Sequence, residues 1–222
     1  HRGVYWFEVT AEGRIAHGSM PYLGVNAVEG MSHLLDLVRD ELGPALQGRV
    51  TSMPVVPEGS RHPTININGI DGGQPIDEVP SPCVADRCRV VFDRRFLLEE
   101  GLDRTRAEIH ALVKKAQARM PEVKFSIQDR LIFEPTRAPE DAPLIGALTA
   151  AIADVTGRTA SLVASPGTYD QKHVARIAGV PHCVAYGPGQ LDLAHQPDEY
   201  CSVEDIITST KVLALAIMTL SS

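Results

Sequence analysis

Apolar and polar positions follow one pattern up to residue 133 and a different one after it. In the first part, segments rich in β-branched and aromatic residues alternate with segments whose apolar residues recur every three or four positions. These patterns predict strand, helix, strand, strand, helix and strand, over residues 4–10, 27–43, 64–70, 88–96, 102–120 and 123–133. That order, βαββαβ, is typical of a ferredoxin-like α+β sandwich.

Residues with special backbone preferences mark several boundaries in this first part. Asn26 is a suitable N-cap for the first helix. Gly43-Pro44 predicts the end of that helix, because proline is not tolerated in a helix interior. The following loop contains a candidate edge strand over residues 50–56, and the alternation in residues 64–70 predicts a half-buried strand.

After residue 133, helices alternate with short apolar segments, which is typical of a parallel α/β sheet. The predicted helices are 144–155, 171–178 and 203–220, and the predicted strands are 160–164 and 180–185. Two strands are too few for a sheet that is covered on both faces. We therefore expect a ferredoxin-like lid over residues 1–133, followed by the C-terminal portion of a larger α/β domain over residues 134–222.

Composition excludes some classes of partner. The net charge of -7 argues against binding to nucleic acid or to anionic membranes, and no apolar run reaches the length of a spanning helix. The four cysteines have uneven spacing and do not form a disulfide framework in a chain this long, so we expect a reducing compartment, the cytoplasm. Cys83 and Cys88 could ligate zinc, but no second pair follows at zinc-finger spacing.

A loop in the C-terminal part carries a candidate metal ligand. Gly187-Pro188-Gly189 breaks the chain after the predicted strand 180–185, and His195 follows beside Asp198 and Glu199. Ligands bind at the carboxyl ends of strands in open α/β sheets, and imidazole suits zinc. One histidine is not a metal site, however, and no H-E-x-x-H or H-x-D motif supplies partners. The alternative is a surface loop with a solvated histidine. We expect Asp198 and Glu199 to hold the loop or to support the histidine rather than to bind metal.

Three further positions have groups suited to catalysis or substrate binding. His17, in a loop punctuated by glycine and proline, can donate a hydrogen bond to a developing oxyanion, or it is a capping or surface histidine. Gly167-Thr168 offers N–H groups and a hydroxyl to an anion, unless Thr168 or the aspartate two residues later is an N-cap. Arg94 and Arg95 point to opposite faces of their strand, so one of them should face the protein interior or a partner molecule. There its guanidinium can bind a carboxylate through two hydrogen bonds. The alternative is that the arginine forms an ordinary ion pair on the surface.

Several motifs occur in one order along the chain and together resemble a known family. They are Ala16-His17-Gly18-Ser19, Gly24-Val25-Asn26-Ala27, Gly72-Gly73 with Val79-Pro80, Phe92-Asp93-Arg94-Arg95, Gly167-Thr168-Tyr169-Asp170, and Gly187-Pro188-Gly189 with His195-Gln196-Pro197-Asp198-Glu199. This series resembles the M20 metallopeptidase family, in particular its acetylornithine deacetylase, succinyl-diaminopimelate desuccinylase and carboxypeptidase members. The resemblance covers essentially the whole chain.

The resemblance implies a hydrolase that cleaves an amide bond in an N-acyl amino acid or a small peptide-like substrate. It implies a ferredoxin-like lid that forms a homodimer and is inserted in an α/β zinc-hydrolase domain. In that family two zinc ions in each active site activate a water, with cobalt or manganese as alternatives, and a glutamate acts as general base.

The resemblance also implies roles for individual residues. His195 matches a metal ligand. His17 matches a catalytic histidine that reaches the partner subunit's active site and stabilises the oxyanion there. Arg95 matches an arginine that binds the substrate carboxylate, and Gly167 and Thr168 match the loop that contacts the same end of the substrate.

Some positions depart from the family pattern. Asp77 occupies a substrate-binding position where asparagine is usual, so it could repel a substrate carboxylate or favour a cationic group. Tyr169 replaces a residue that is often small. The H-x-D motif and the acidic metal ligands of the family have no match, so we expect the chain to begin where the lid begins and to be inactive by itself. The alternative class is a non-catalytic dimerisation module or an inactive fragment.

Overall fold

The chain divides into two structural units. The computed structural model describes residues 1–74 and 81–222. Unit 1 comprises His1–Pro135 and Ser165–Thr168, and unit 2 comprises Thr136–Ala164 and Tyr169–Ser222.

Unit 1 is built on a four-stranded antiparallel sheet. Its strands are Gly3–Glu12 (β1), Thr64–Gly72 (β2), Arg87–Phe96 (β3) and Lys124–Phe133 (β4), and its helices are Ala27–Leu37 (α1), Gly43–Gln47 (α2) and Leu102–Arg119 (α3). The strands lie in the order β2-β3-β1-β4, and all neighbours are antiparallel. The predicted order βαββαβ and the ferredoxin-like sandwich are confirmed.

The core of unit 1 lies between one face of this sheet and the helices. Tyr5, Phe7 and Val9 of β1 point into it, and so do Val90 and Phe92 of β3; none of the five is more than 2% exposed. Phe7 and Phe92 lie opposite each other, and their rings stack with centroids 5.0 Å apart. Burial of each such ring stabilises the fold by about 2–3 kcal/mol. Apolar residues of α1 and α3 cover this face, so the helical faces that the sequence pattern predicts are the buried ones.

The first helix begins where the sequence predicted but does not end at Gly43-Pro44. The Asn26 side chain accepts hydrogen bonds from two backbone N–H groups of the first turn, which confirms it as N-cap. The helical path then continues through a wide π turn, Val38–Leu42, into α2. Pro44 lies in the first turn of α2, where a missing N–H is tolerated. The predicted stop was therefore wrong.

The edge strand β2 is more exposed than its alternating pattern predicted. Ile67 and Ile70 are 44% and 59% exposed, so the expectation of a half-buried strand is wrong at these two positions. The pairing of β2 with β3 shifts register between Ile67 and Gly69. A bulge of this kind interrupts the strict alternation of faces, and no further strand covers this edge within the described part of unit 1.

The candidate edge strand over residues 50–56 does not form in the described chain. The carboxylate of Glu99 instead organises this loop by accepting hydrogen bonds from the Thr51 hydroxyl at 2.8 Å and from the backbone N–H of Ser52 at 3.0 Å. The backbone N–H of Ser52 thus has a side-chain partner in place of a neighbouring strand.

Unit 2 contains three α-helices, Pro143–Thr156 (α4), Gln171–Arg176 (α5) and Val203–Ser221 (α6). Helices α4 and α6 pack together through small and branched apolar side chains, namely Leu148, Ala151, Val212 and Ala216. Gly157 ends α4 in the left-handed conformation, and the hydroxyl of Ser202 caps the first turn of α6. No helix within residues 1–74 and 81–222 is long and apolar enough to cross a membrane.

The two strands predicted in unit 2 are wrong for the described structure. Residues 160–164 and 180–185 form no strand there, and Leu162, Val163 and Val180 are each nearly half exposed. An apolar segment becomes a strand only when a neighbouring strand takes up its backbone N–H and C=O groups. The described residues of unit 2 contain no such neighbour for either segment.

A buried ionic network lies at the end of β3. The Arg94 side chain is fully buried, and its Nη2 donates to Glu100 Oε1 at 2.5 Å. Arg49 Nη1 donates to the same oxygen at 2.8 Å, and the backbone N–H of Leu97 donates to Oε2 at 2.7 Å. Burial by itself raises the pKa of Glu100, but the charge of Arg94, the Leu97 N–H and Arg49 together hold this pKa below its usual value.

Replacing Glu100 by Gln should test this network, because the change keeps the shape of the side chain and leaves Arg94 buried without its nearest counter-charge. We expect the free energy of unfolding at pH 7 to fall by about 3 kcal/mol. The folded pKa of Glu100 lies below the unfolded one, so its contribution is present above roughly pH 4.3 and is lost as the pH falls through the folded pKa. Urea unfolding at pH 7 and at pH 3 measures the difference.

The matched control is Glu41→Gln. Glu41 forms an ion pair with Lys115 on the surface, where both side chains are more than 40% exposed. Such a pair contributes about 0–1 kcal/mol, so this variant should unfold nearly as the wild type does. A gap between wild type and Glu100→Gln that stays constant from pH 7 to pH 3 would contradict an ionised Glu100.

Candidate functional site

His17 lies in a loop of unit 1 that is held by a short antiparallel contact. The backbone N–H of Gly18 donates to the carbonyl of Pro82, and the N–H of Val84 donates to the carbonyl of Ala16. These two bonds flank His17 on both sides and fix its backbone against Cys83. The imidazole is exposed, so its position comes from the backbone contact and not from burial.

The hydrogen bonds of the His17 ring determine its tautomer. The backbone N–H of Ser19 lies 3.2 Å from Nδ1, and the Ser19 hydroxyl lies 2.8 Å from the same atom. A backbone N–H can only donate, so Nδ1 is the acceptor and the proton of the neutral ring resides on Nε2. No described residue accepts a hydrogen bond from Nε2, which leaves this N–H available to an external acceptor.

Arg94 and Arg95 lie on opposite faces of β3, as strand geometry predicted. Arg94 belongs to the buried network, whereas Arg95 lies on the sheet face that the helices of unit 1 do not cover. Arg95 donates to both carboxylate oxygens of Asp93, from Nε at 2.6 Å and from Nη2 at 2.8 Å. The side chains of Asp93 and Arg95 are 14% and 27% exposed, so this pair is neither buried nor freely solvated.

The segment Ser165–Thr168 belongs to unit 1 and brings Thr168 to Arg95. Arg95 Nη1 lies 3.4 Å from the Thr168 hydroxyl, which in turn lies 3.4 Å from the carbonyl of Arg2. The backbone N–H of Gly167 donates to the Ser165 hydroxyl at 3.1 Å, so this N–H has an internal partner. The alternative of an aspartate N-cap does not hold, because no side chain caps α5 at Asp170.

Other positive charge surrounds Arg95. The pKa of Arg2 is lowered by burial and, after that, by the charge of Arg95; Glu100 opposes the decrease and Arg94 adds to it. Three guanidinium groups are therefore close enough to affect one another. The carboxylates of Glu100 and Asp93 compensate part of this charge.

His195 lies in an exposed loop of unit 2 with unusual backbone geometry. Both His195 and Asp198 have positive φ angles, 64° and 60°, which few residues other than glycine adopt. The backbone N–H of His195 donates to Glu199 Oε2 at 3.0 Å. Glu199 therefore holds the loop, as the sequence indicated. Strained backbone of this kind persists where the surroundings determine it, often next to functional groups.

The described residues do not build a metal site. Within residues 1–74 and 81–222, no three His, Cys, Asp or Glu side chains come together in a way that could hold a metal ion. A zinc site needs three or four protein ligands, so His195 does not complete one with the groups described. Asp77, the predicted substrate-binding residue, lies outside the described residues.

Among the predicted residues of unit 1, the structure brings Arg95 and Thr168 together. None of the described hydrogen bonds of unit 1 links His17 to either of them. Sequence reasoning missed Asp93 and Ser19 as partners of Arg95 and His17. The sequence could have indicated Asp93 as the partner of Arg95, because residues two apart on a strand lie on the same face. The signal for Ser19 was weaker, since it depends on the loop conformation.

Comparison with known proteins identifies the family. The family model of the M20 peptidase dimerisation domain matches residues 1–121, which is more than half of the chain. The chain belongs to the M20 peptidase dimerisation-domain family. The acetylornithine deacetylase of Vibrio atlanticus (strain LGP32) is 26% identical over 223 residues, an alignment that covers 98% of this chain and 53% of that protein.

Solved structures of M20 proteins share the fold. Human carnosine dipeptidase 1 matches with a TM-score of 0.75 at 18% identity, covering 98% of this chain and 54% of that one. The M20 family metallo-carboxypeptidase Sso-CP2 of Sulfolobus solfataricus matches with a TM-score of 0.68 at 16% identity, covering 98% and 59%. At these identities the likeness concerns the fold. The chain spans about half the length of the curated relatives that it matches.

Proposed function

We propose that the full-length protein hydrolyses an amide bond in an N-acyl amino acid or a small peptide-like substrate. Membership of the M20 family supports a hydrolase of the peptidase or deacetylase type. The observation that carries the proposal is the tautomer of His17, because an exposed Nε2–H is the group that an oxyanion requires. Developing negative charge on the scissile carbonyl would be stabilised by this donor.

We propose that Arg95, Thr168 and Gly167 form the subsite for the substrate's carboxylate end. A guanidinium binds a carboxylate through two parallel hydrogen bonds, and Thr168 adds a hydroxyl next to it. Asp77 is proposed to face the same end of the substrate, where a carboxylate in place of the usual amide would favour a cationic substituent.

We propose that catalysis depends on zinc, with cobalt or manganese as alternatives, and that His195 is one of the ligands in the full-length protein. The described residues do not supply the other ligands, so the metal dependence rests on family membership and on the imidazole itself.

The four free cysteines support a cytoplasmic location, since that compartment keeps thiols reduced. The proposed boundary between the lid and the catalytic part lies between residues 133 and 134.

The substrate class can be tested with full-length protein and a panel of N-acetyl amino acids, N-succinyl amino acids and dipeptides. We expect metal-dependent hydrolysis of at least one of the three groups, with amide cleavage detected as release of a free amino group. Turnover that persists after dialysis against a chelator would contradict metal dependence. Lack of turnover of the entire panel would contradict the proposed function.

The roles of the two histidines can be separated in the full-length protein. His195→Ala should lower bound zinc and activity together. His17→Ala should lower kcat by 100- to 1,000-fold, the usual effect of losing one oxyanion donor, and should leave the zinc content unchanged. Metal analysis beside steady-state kinetics measures both. Equal metal loss in the two variants would overturn the assignment.

A homodimer is proposed through the exposed edge of β2. Unpaired backbone groups on an edge strand favour pairing with another strand, and Ile67 and Ile70 supply apolar surface beside that edge. Because His17 is expected to act in the partner subunit's active site, mixing His17→Ala with His195→Ala subunits should restore part of the activity. No restoration in mixed dimers would mean that His17 acts within its own subunit.

A charge on the β2 edge should weaken the dimer. We expect Ile67→Glu to shift the full-length protein towards monomer in sedimentation velocity at micromolar concentration, because each subunit would bring a negative charge to the proposed strand pair. The control is Val50→Glu, which places the same charge at a residue that is 53% exposed but lies outside β2. Equal dissociation of both variants would argue against the β2 edge.

A further inference from the structure

We propose that Asp93 is a positioning residue that directs one edge of the Arg95 guanidinium towards the substrate carboxylate. This inference rests on the proposed function, in which Arg95 binds that carboxylate.

The geometry of the pair fixes the plane of the guanidinium. Asp93 accepts from Nε at 2.6 Å and from Nη2 at 2.8 Å, so both oxygens bind the same side-on edge. Two parallel charge-assisted hydrogen bonds define the orientation of a planar group, which one contact cannot do. The two residues lie on the same face of β3, two positions apart, so the strand itself maintains their separation.

The surroundings of Asp93 limit its movement. Trp6 of β1 and Asn66 of β2 lie opposite Asp93 on the two neighbouring strands. The Asp93 side chain is 14% exposed, which is consistent with flanking on both sides. A carboxylate held in this way is a fixed acceptor, and fixed partners are what hold a binding group in its productive geometry.

The edge of the guanidinium that Asp93 does not use remains suited to a second carboxylate. Five N–H donors belong to a guanidinium, and Asp93 accepts from Nε and from one N–H of Nη2. Three donors remain, two on Nη1 and one on Nη2, and one N–H from each of these nitrogens forms the end-on edge. Its described contact is the Thr168 hydroxyl at 3.4 Å, which is long for a charge-assisted bond. This edge is the one that we assign to the substrate.

Positioning and charge compensation predict opposite results for Asp93→Asn. Removal of the Asp93 carboxylate makes the net charge around Arg95 and Arg2 more positive. This change by itself would strengthen the binding of an anion. Asparagine has one acceptor oxygen in place of two, so it would also release the guanidinium from its fixed plane. If orientation dominates, a substrate with a carboxylate binds less tightly in spite of the added positive charge.

The experiment uses the full-length protein and the panel substrate with the highest kcat/KM, compared with its carboxamide, which lacks the charged end. For Asp93→Asn we expect KM for the acid to rise about tenfold, equivalent to about 1.4 kcal/mol, with KM for the carboxamide unchanged. KM does not depend on the fraction of folded enzyme, so partial unfolding of the variant would not imitate this result. The matched control, Asp71→Asn, removes the carboxylate that pairs with Arg89 on the same face of β3 and should change neither value.

Arg95→Ala separates the two proposals. If it abolishes the preference for the acid over the carboxamide and Asp93→Asn does not weaken acid binding, the positioning role is wrong while the carboxylate subsite stands. A lower KM for the acid in Asp93→Asn would show charge compensation and overturn the proposal, and equal changes for acid and carboxamide would show a structural role and do the same. If Arg95→Ala keeps the preference, or if no panel substrate is cleaved, the proposed function fails and the role of Asp93 fails with it.

Discussion

The two-residue period of β3 determines where the main charges of unit 1 lie. Arg94 and Arg95 are adjacent, so one must point to the core and the other to the uncovered face. The pairing of β3 with β1 fixes this choice, because Phe92 must stack on Phe7 within the core. A slip by one residue would turn Asp93 and Arg95 into the core and Phe92 out of it, and it would move Arg94 away from Glu100. The packing of the apolar side chains therefore also determines on which face of the sheet each arginine lies.

Sequence reasoning predicted the fold of unit 1 because the residues that favour strands there also find neighbouring strands to pair with. Each strand of the sheet has β-branched or aromatic residues and finds its neighbours within the same unit. Residues 160–164 and 180–185 have a similar apolar character but find no strand partner among the described residues, and so remain irregular. The failure at Gly43-Pro44 has a different cause, because a wide turn before the proline let a new helical segment begin there.

Sequence reasoning for the candidate site proposed residues but missed their hydrogen-bond partners. His17, Arg95 and Thr168 are proposed from their motifs, and the opposite directions of Arg94 and Arg95 follow from strand geometry alone. The tautomer of His17 could not be predicted, because it depends on how the loop places the backbone N–H of Ser19. The left-handed backbone at His195 also lies beyond a pattern of residue types.

The two arginines at the end of β3 each form an ion pair, and the two pairs differ in how deeply they are buried. Arg94 is fully buried and the Glu100 side chain is only 5% exposed, so their charges must compensate each other. Arg95 and Asp93 are partly exposed, so the desolvation cost is small and one edge of the guanidinium can exchange water for a ligand. A partly exposed pair contributes little stability, yet it can hold an orientation that a lone arginine, with its flexible side chain, would lose. The same strand thus supplies an arginine to a structural pair on one face and the proposed binding group on the other, and the difference arises from the helices that cover only one of these faces.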